Sequence, residues 1–381
     1  MTRIVVVGAG AVGLCGAIAL AERGAAVTLL ERGLPGAANS TATGGGIRQQ
    51  FGTESNIALS LLAAPFWKSF AARFGVDPWL HEIGYLFVAH DDKQAAVLRA
   101  NVALQNRLGV TSEFIDCEEM ARRWPWLACR GACAGAFRGE DGWANQHRII
   151  DGLTRGALAR GVDVRVGVEV LRLRTRAGSV VGASTTAGDI EADAVVLASG
   201  PWTALLADLD LALPVIGRRH ELLIVEPARP LPAGTPWLIG VRDEVHMRPD
   251  TPGRALVGGF LGQDAEDSAD GFDGRATDAW AHRVLEKVGE VFGVVDSRAG
   301  IRRGWAGLYP ATPDHHPIID RLLEGLYVTL GFSGTGLMHA PAAGRLLAEL
   351  IFDGAIASTR PGPLSAARFV QIPSRPELTG F

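Results

Sequence analysis

The chain has 381 residues, 48% hydrophobic and 20% charged, which excludes intrinsic disorder; at ~150 residues per domain it makes two to three domains or one large α/β domain. Lys and Arg (37) against Asp and Glu (41) leave a net charge of −4, so there is no basic excess for nucleic acid, and no apolar run reaches the ~18 residues of a membrane span. The opening MTRIVVVGAGAVG, with its single Arg3, very short apolar run and glycines at 8, 10, 13 and 16, fits a buried strand and turn better than a signal sequence. Of the cysteines Cys15, Cys117, Cys129 and Cys133, only the last two are close, and C-x3-C alone is a poor zinc signature. Free thiols in a reducing compartment, no metal and a cytoplasmic location are the expectations.

Ile4–Val7 is a short apolar run rich in β-branched residues, as in a strand buried on both faces of a parallel sheet. Gly8–Gly13 turns the chain, residues 11–23 form an Ala- and Leu-rich helix ended by Gly24, and residues 27–30 form a second buried strand closed by Glu31. That is one βαβ unit, whose two strands are neighbours. Residues 33–46, GLPGAANSTATGGG, are small and polar. Helices are predicted over 54–75, with Phe66, Trp67, Phe70 and Phe74, and over 92–108. Val164, Val166, Val168 and Val170 alternate with polar residues and glycine, which predicts strands with one wet face; turns at Ala177-Gly178 and Ala187-Gly188 make 162–193 a small antiparallel meander. Residues 194–198 are another buried strand, running into Ser199-Gly200-Pro201-Trp202. Residues 215–304 mix alternating strands with a helix near 276–292 and lack a Gly-rich phosphate loop, so they read as a substrate-side region. Residues 325–329 return to a buried strand, followed by GFSGTG at 331–336 and a helix through Leu350 with Arg345 on its outer face. No repeats or low-complexity linkers occur, so the domains interleave.

Gly8, Gly10 and Gly13, with Ala11 and Val12 between them, form G-x-G-x-x-G between strand and helix. Gly8 allows the tight turn, Gly10 lets the backbone approach a pyrophosphate at the helix N-terminus, and Gly13 lets helix and strand pack closely. Glu31, at the end of the second strand, is placed to accept hydrogen bonds from a ribose 2′-OH and to repel the 2′-phosphate of NADP. A strand, helix and acid in register point to dinucleotide binding. A nicotinamide dehydrogenase would continue the βαβ alternation directly, whereas this chain follows Glu31-Arg32 with a long Ser/Thr/Gly stretch and returns twice to the same sheet.

The stretches GAGAVG (8–13), LLERG (29–33), STATGGGIRQQFG (40–52), ADAVVLASGPW (192–202), AGLYPATPDHHPIID (306–320) and LYVTLGFSGTGLMHAPAAGRLLAEL (326–350) resemble, in order and over nearly the whole chain, the FAD-dependent D-amino-acid oxidase group, especially its sarcosine-oxidase-like branch. The resemblance implies an α/β fold: a Rossmann-like FAD-binding domain, a parallel sheet plus an antiparallel meander, interleaved with an α+β substrate domain on a mixed or antiparallel sheet. The FAD-binding domain takes 1–80, 145–214 and 305–370, the substrate domain 81–144 and 215–304, and 371–381 is a C-terminal tail. It also implies cofactor contacts from the first glycine loop and Glu31, and from Arg32, Ser40 and Thr41 along the adenine and pyrophosphate path. Gly45, Gly46 and Gly307 belong to the same set. Val168 contacts the adenine through its backbone, Ser199, Gly200 and Trp202 pack near the cofactor, and Gly331, Ser333, Gly334, Thr335, Gly336 and Leu337 bring N–H groups to the isoalloxazine ring.

On the substrate side the branch places its carboxylate-binding arginine early, where Arg48 stands, and a guanidinium fork suits a carboxylate. The arginine of the G-L-R-P motif in other members is Tyr309 here, and the second carboxylate partner, a lysine in the branch, is Met338. The branch's covalent flavin cysteine aligns with Gly307, so FAD is expected to be non-covalent, and Thr335 replaces a histidine of the last loop. None of Lys68, Lys93 and Lys287 falls where a lysine could reach the flavin, which leaves Arg248 as the candidate cation for reaction with oxygen, or else a dehydrogenase. His246 and His339 are the histidines expected to enter the site. The implied reaction is oxidation of a C–N bond in a small amine or amino acid, with a protein electron acceptor or a heteromeric complex also compatible. A 2-hydroxy-acid oxidoreductase and a non-catalytic FAD-binding subunit are the rival readings.

Overall fold

The computed structural model describes residues 1–128, 131–241, 244–261 and 267–371. Cys129 and all but Gln371 of the expected C-terminal tail lie outside these residues.

The first strand, Arg3–Val7, pairs in parallel with Ala26–Glu31 on one side and Ala194–Leu197 on the other. The six-stranded sheet is extended by Asp163–Val166 beyond Ala26–Glu31 and by Leu326–Leu330 beyond Ala194–Leu197. Ile318–Leu323 closes it as an antiparallel edge. The β-branched run is buried on both faces, as its sequence predicts. Ile4 and Val6 point into a core shared with the helices Ala11–Glu22, Glu54–Phe74, Gln146–Ala159 and Gly336–Phe352. Val5 and Val7 point into a second core capped by the meander Val170–Arg176, Ser179–Thr185 and Gly188–Glu191.

The meander is shorter than the sequence suggests. Asp163–Val166 belongs to the parallel sheet, paired with Ala26–Glu31, and Val166 is half exposed. The strand lies at a sheet edge, where alternation does not distinguish parallel from antiparallel pairing; Gly167, at φ +72°, ends it. Val168 falls in this link, its N–H donating to the Glu31 carbonyl at 3.0 Å.

The second large sheet has eight strands in the order Gly300–Ala311, Ile216–Glu226, Ala255–Gly259, Val245–Pro249, Trp237–Gly240, Tyr85–Ala89, Ala134–Arg138 and Glu113–Ile115. Only Trp237–Gly240 and Tyr85–Ala89 pair in parallel. Gly300–Ala311 carries this sheet past residue 305. The outer face (Leu86, Val88, Leu223, Leu238, Met247, Val257) packs on the amphipathic helix Asp278–Phe292, which Thr277 caps by accepting from Trp280 N–H. The inner face carries Tyr85, Phe87, Leu222, Trp237 and Leu256. A two-stranded ladder, Gly46–Ile47 with Gly142–Trp143, joins the segment after the small polar stretch to this inner face. Among the described residues no helix is long and apolar enough to cross a membrane.

Candidate active site

The turn after the first strand depends on two glycines. A Cβ on Gly8, at φ +102°, would lie 2.7 Å from the Ala198 carbonyl oxygen, and one on Gly13 only 1.9 Å from that of Gly8. Gly10 is the N-cap of Ala11–Glu22 and supplies no side chain; the Ala11 N–H donates instead to Ser40 Oγ at 3.0 Å. The result is a groove of about 840 Å³ that Gly8, Gly10, Val12, Glu31 and Ser40 line at this end. A helix N-terminus whose cap residue carries no side chain, opening on such a groove, favours negative charge.

Glu31 is engaged twice by backbone, Oε2 accepting from Ala9 N–H at 2.9 Å and Oε1 from Gly33 N–H at 2.8 Å. A carboxylate has about four lone-pair sites, so it retains capacity for a hydroxyl donor at the groove wall. The Arg32 guanidinium lies 4.5 Å over the Trp202 ring, and both line the groove together with Val168, Ser199 and Gly200. Trp202 is therefore a wall of the groove, its indole N–H donating to the Ala269 carbonyl at 3.1 Å. The groove is also lined by Gly331, Gly334, Gly336 and Leu337, where Gly336–Phe352 begins, and by Tyr309.

Other expected cofactor residues stand behind this wall. Thr41 Oγ1 donates to the Gly36 carbonyl at 2.9 Å, Thr335 Oγ1 to that of Phe332 at 2.7 Å, and Ser333 is buried against Thr312. Gly45 and Gly307 are contact glycines, against the Ala144 carbonyl and the Ala42 Cβ. Gly46 lies under Tyr85, whose hydroxyl oxygen would be 2.4 Å from a Cβ there.

Arg48, 4% exposed, follows the short strand Gly46–Ile47 and lies over Phe51 at 4.3 Å and Phe87 at 5.2 Å. Its Nη1 donates to the Gln50 carbonyl at 2.8 Å. Behind it Asp141 accepts from Gln49 N–H at 3.0 Å and Gln50 Nε2 at 3.3 Å, so one buried carboxylate holds both residues after Arg48. Burial pushes the Asp141 carboxyl up to about 6, against the pull of Arg138, the Gln49 N–H, Gln50 and Arg48.

Around Arg48 the inner sheet face is aromatic. Tyr85 stacks on Trp237 at 4.7 Å, and Tyr309 on His220 at 4.7 Å. Burial raises the Tyr85 and Tyr309 hydroxyls, and the Arg48 guanidinium opposes it at both. Tyr309 links this face to the groove, since a Cβ on Gly334 would lie 2.5 Å from its ring. His246 meets His220 with Nε2 to Nε2 at 3.2 Å. His339 lies on Gly336–Phe352, its ring 5.0 Å from that of Phe51, and burial lowers it to about 3, with Arg48 and His316 adding to the effect. Met338 turns into an apolar cluster with Phe51, Ile57 and Val110, so it offers packing where the branch has a cation.

Arg248 is tightly committed. Its Nε and Nη2 donate to the Gly44 carbonyl at 3.2 and 3.1 Å, Nη1 reaches Asp250 at 2.8 Å, and the guanidinium lies 3.7 Å over Trp143. Lys68 and Lys287 pair with surface carboxylates, and no lysine lines the described groove. Sequence reasoning missed Tyr85, Trp237, His220 and Asp141. No local motif marks them; the available signal was the period of two, which puts Tyr85 and Phe87 on one face and His220 and Leu222 on one face.

The profile of the family described as "DAO: FAD dependent oxidoreductase" matches residues 3–350. A glycine oxidase of Pseudomonas aeruginosa is 29% identical over 365 residues, covering 92% of this chain and 94% of that one. A sarcosine oxidase subunit beta of Rhodobacter capsulatus is 25% identical over 364 residues, covering 92% and 85%. Among solved structures, the L-proline dehydrogenase from P. horikoshii superposes with a TM-score of 0.87 at 28% identity, covering 97% of this chain and 98% of that one.

Proposed function

For a chain that belongs to the FAD-dependent oxidoreductase family, we propose oxidation of the C–N bond of an amino acid or secondary amine, with FAD held non-covalently. The groove fits the cofactor: glycines that tolerate no Cβ, a helix N-terminus capped by glycine and an acid at the end of the second strand. The Gly8–Gly13 turn would hold the pyrophosphate, Glu31 the ribose, and the N–H groups from Gly334 to Leu337 the flavin ring edge. Gly307 offers no thiol for a covalent link. When bound, FAD supplies the hydride acceptor.

The observation that carries the reading is the placement of Arg48, buried on the aromatic face beside Tyr85 and Tyr309, with Tyr309 against the groove at Gly334. Arg48 binds the substrate carboxylate through its fork, and Asp141 holds the Gln49 N–H and the Gln50 side chain that follow it, which sets the fork's position. Tyr85, Trp237 and Tyr309 exclude water and fix the substrate carbon skeleton. The α-hydrogen leaves as hydride while the nitrogen lone pair forms the C=N bond, and the imine product hydrolyses in water. Relatives named as oxidizing or dehydrogenating glycine, sarcosine and proline support this chemistry.

Arg48→Gln tests the reading. A substrate's KM is expected to rise about 100-fold, as for a lost charged hydrogen bond of ~3 kcal/mol, with the flavin absorbance unchanged. An unchanged KM would remove Arg48 from the site.

A further inference from the structure

His220 and His246 stand on strands separated by Ala255–Gly259, and Gly258 of that middle strand makes their meeting feasible. A Cβ on Gly258 would lie 2.5 Å from His246 Nε2. Over this gap the two rings lie 22° from parallel and touch through Nε2 at 3.2 Å. Burial favours the neutral form of both: it lowers His220 to about 3 and, with His220 and Arg248 adding, lowers His246 well below its ordinary value.

Two neutral imidazoles in contact through Nε2 hold one N–H between them. The ring that donates there has a bare Nδ1, and the ring that accepts carries its proton on Nδ1. Whichever way the shared proton sits, the pair turns outward one donor and one acceptor. Among the described residues neither Nδ1 has a partner, nor does the indole N–H of Trp237, whose ring lies 5.7 Å from that of His246. Buried polar atoms in folded proteins are bonded, so three orphans along one face call for a cause. The face is also the right one: Tyr309 joins His220 to the groove, and Tyr85 joins Trp237 to the surroundings of Arg48.

We infer that His220, His246 and Trp237 recognise a second polar group on the substrate, an uncharged group that both donates and accepts, such as a hydroxyl or a carboxamide. The inference rests on the amine-oxidation reading and names the substrate class for that same site. A hydroxyl or carboxamide meets the donor and the acceptor together. A carboxylate brings no proton for the bare Nδ1, and an alkyl chain leaves all three atoms unpaired. Sites built on buried polar groups discriminate strongly, because the wrong ligand leaves them unsatisfied.

The test mixes the holoprotein anaerobically with near-isosteric pairs: threonine against valine, asparagine against leucine, hydroxyproline against proline, each as both enantiomers. The readout is the rate at which the flavin band is lost. The polar member of a pair is expected to react about 10- to 100-fold faster, and His246→Phe to keep the flavin band while erasing the difference. Equal rates, or faster reaction of the apolar members, overturn the inference, and the wild-type comparison decides this even if the variant does not fold. If no compound in either arm bleaches the flavin, the amine reading falls and takes the inference with it.

Discussion

Gly13 shows how a single missing Cβ decides whether a cofactor site exists. A methyl group there would sit 1.9 Å from the Gly8 carbonyl oxygen, so Gly13→Ala must displace the turn from the helix. The expected outcome is loss of bound FAD, read as loss of visible absorbance on the purified variant; full retention would show that the turn has slack the structure denies. Asp141 carries a different kind of prediction. Its folded value of about 6 lies above the ordinary 3.8, so the folded chain keeps a proton that the unfolded chain releases between those values. Stability linked to this group is present below about pH 4 and is lost as pH rises through about 6. The stability of wild type relative to Asp141→Asn is expected to fall over that window, and urea melts at each pH showing a constant difference would contradict the burial argument. The places of Gly8, Gly10 and Glu31 on the groove were legible because each belongs to a contiguous motif whose chemistry is local, whereas Arg48 was marked by the family resemblance alone. Tyr85, Trp237, His220 and Asp141 were not legible, since their meeting depends on strand order.

At the scale of elements, the helix Ala11–Glu22 and the helix Gly336–Phe352 pack so closely that a Cβ on Gly344 would lie 2.5 Å from the Cys15 carbonyl oxygen. That contact places the N-termini of both helices side by side on the same groove, where a Cβ on Gly336 would lie 3.8 Å from Val12 Cγ2. Gly344→Ala is expected to destabilise the protein by about 1–3 kcal/mol, the usual cost of overpacking a close contact. A thermal midpoint unchanged within error would mean that the helices separate freely. The sequence made most of these elements readable: the short β-branched strands and the helix stop at Gly24 follow local rules, and the helix predicted over 54–75 ends one residue earlier, at an αL cap on Gly75, φ +66°. The exception was Asp163–Val166. Its alternation is real, but a sheet edge exposes one face in either pairing, so pattern alone could not assign it to the parallel sheet.

At the scale of the molecule, two sheets meet along the groove, the parallel sheet through the loops at Gly8–Val12 and Gly331–Leu337 and the eight-stranded sheet through Tyr309 and Pro310. We propose that the parallel sheet with its meander and the eight-stranded sheet correspond to the FAD-binding and substrate parts, with Gly300–Ala311 belonging to the second. The return of the chain to the parallel sheet at Ala194–Leu197 and Leu326–Leu330 was legible because similar buried strands recur far apart in the chain. The order of the eight strands was not, because alternating strands of similar length carry little information about their neighbours. With no lysine on the described groove and Arg248 held by Gly44 and Asp250, the reduced protein is expected to react slowly with air and quickly with a dye acceptor such as dichlorophenolindophenol. Rapid reoxidation by air would assign it to the oxidases.

The central claim is that this groove holds FAD and that an amine on the aromatic face reduces it. The most direct measurement is the visible spectrum of the purified protein, followed anaerobically as pooled amino and imino acids are added. Bleaching of the flavin band by one of these pools, and not by pooled 2-hydroxy acids, is the expected result. Bleaching by the hydroxy acids alone, or by neither pool, would contradict the account.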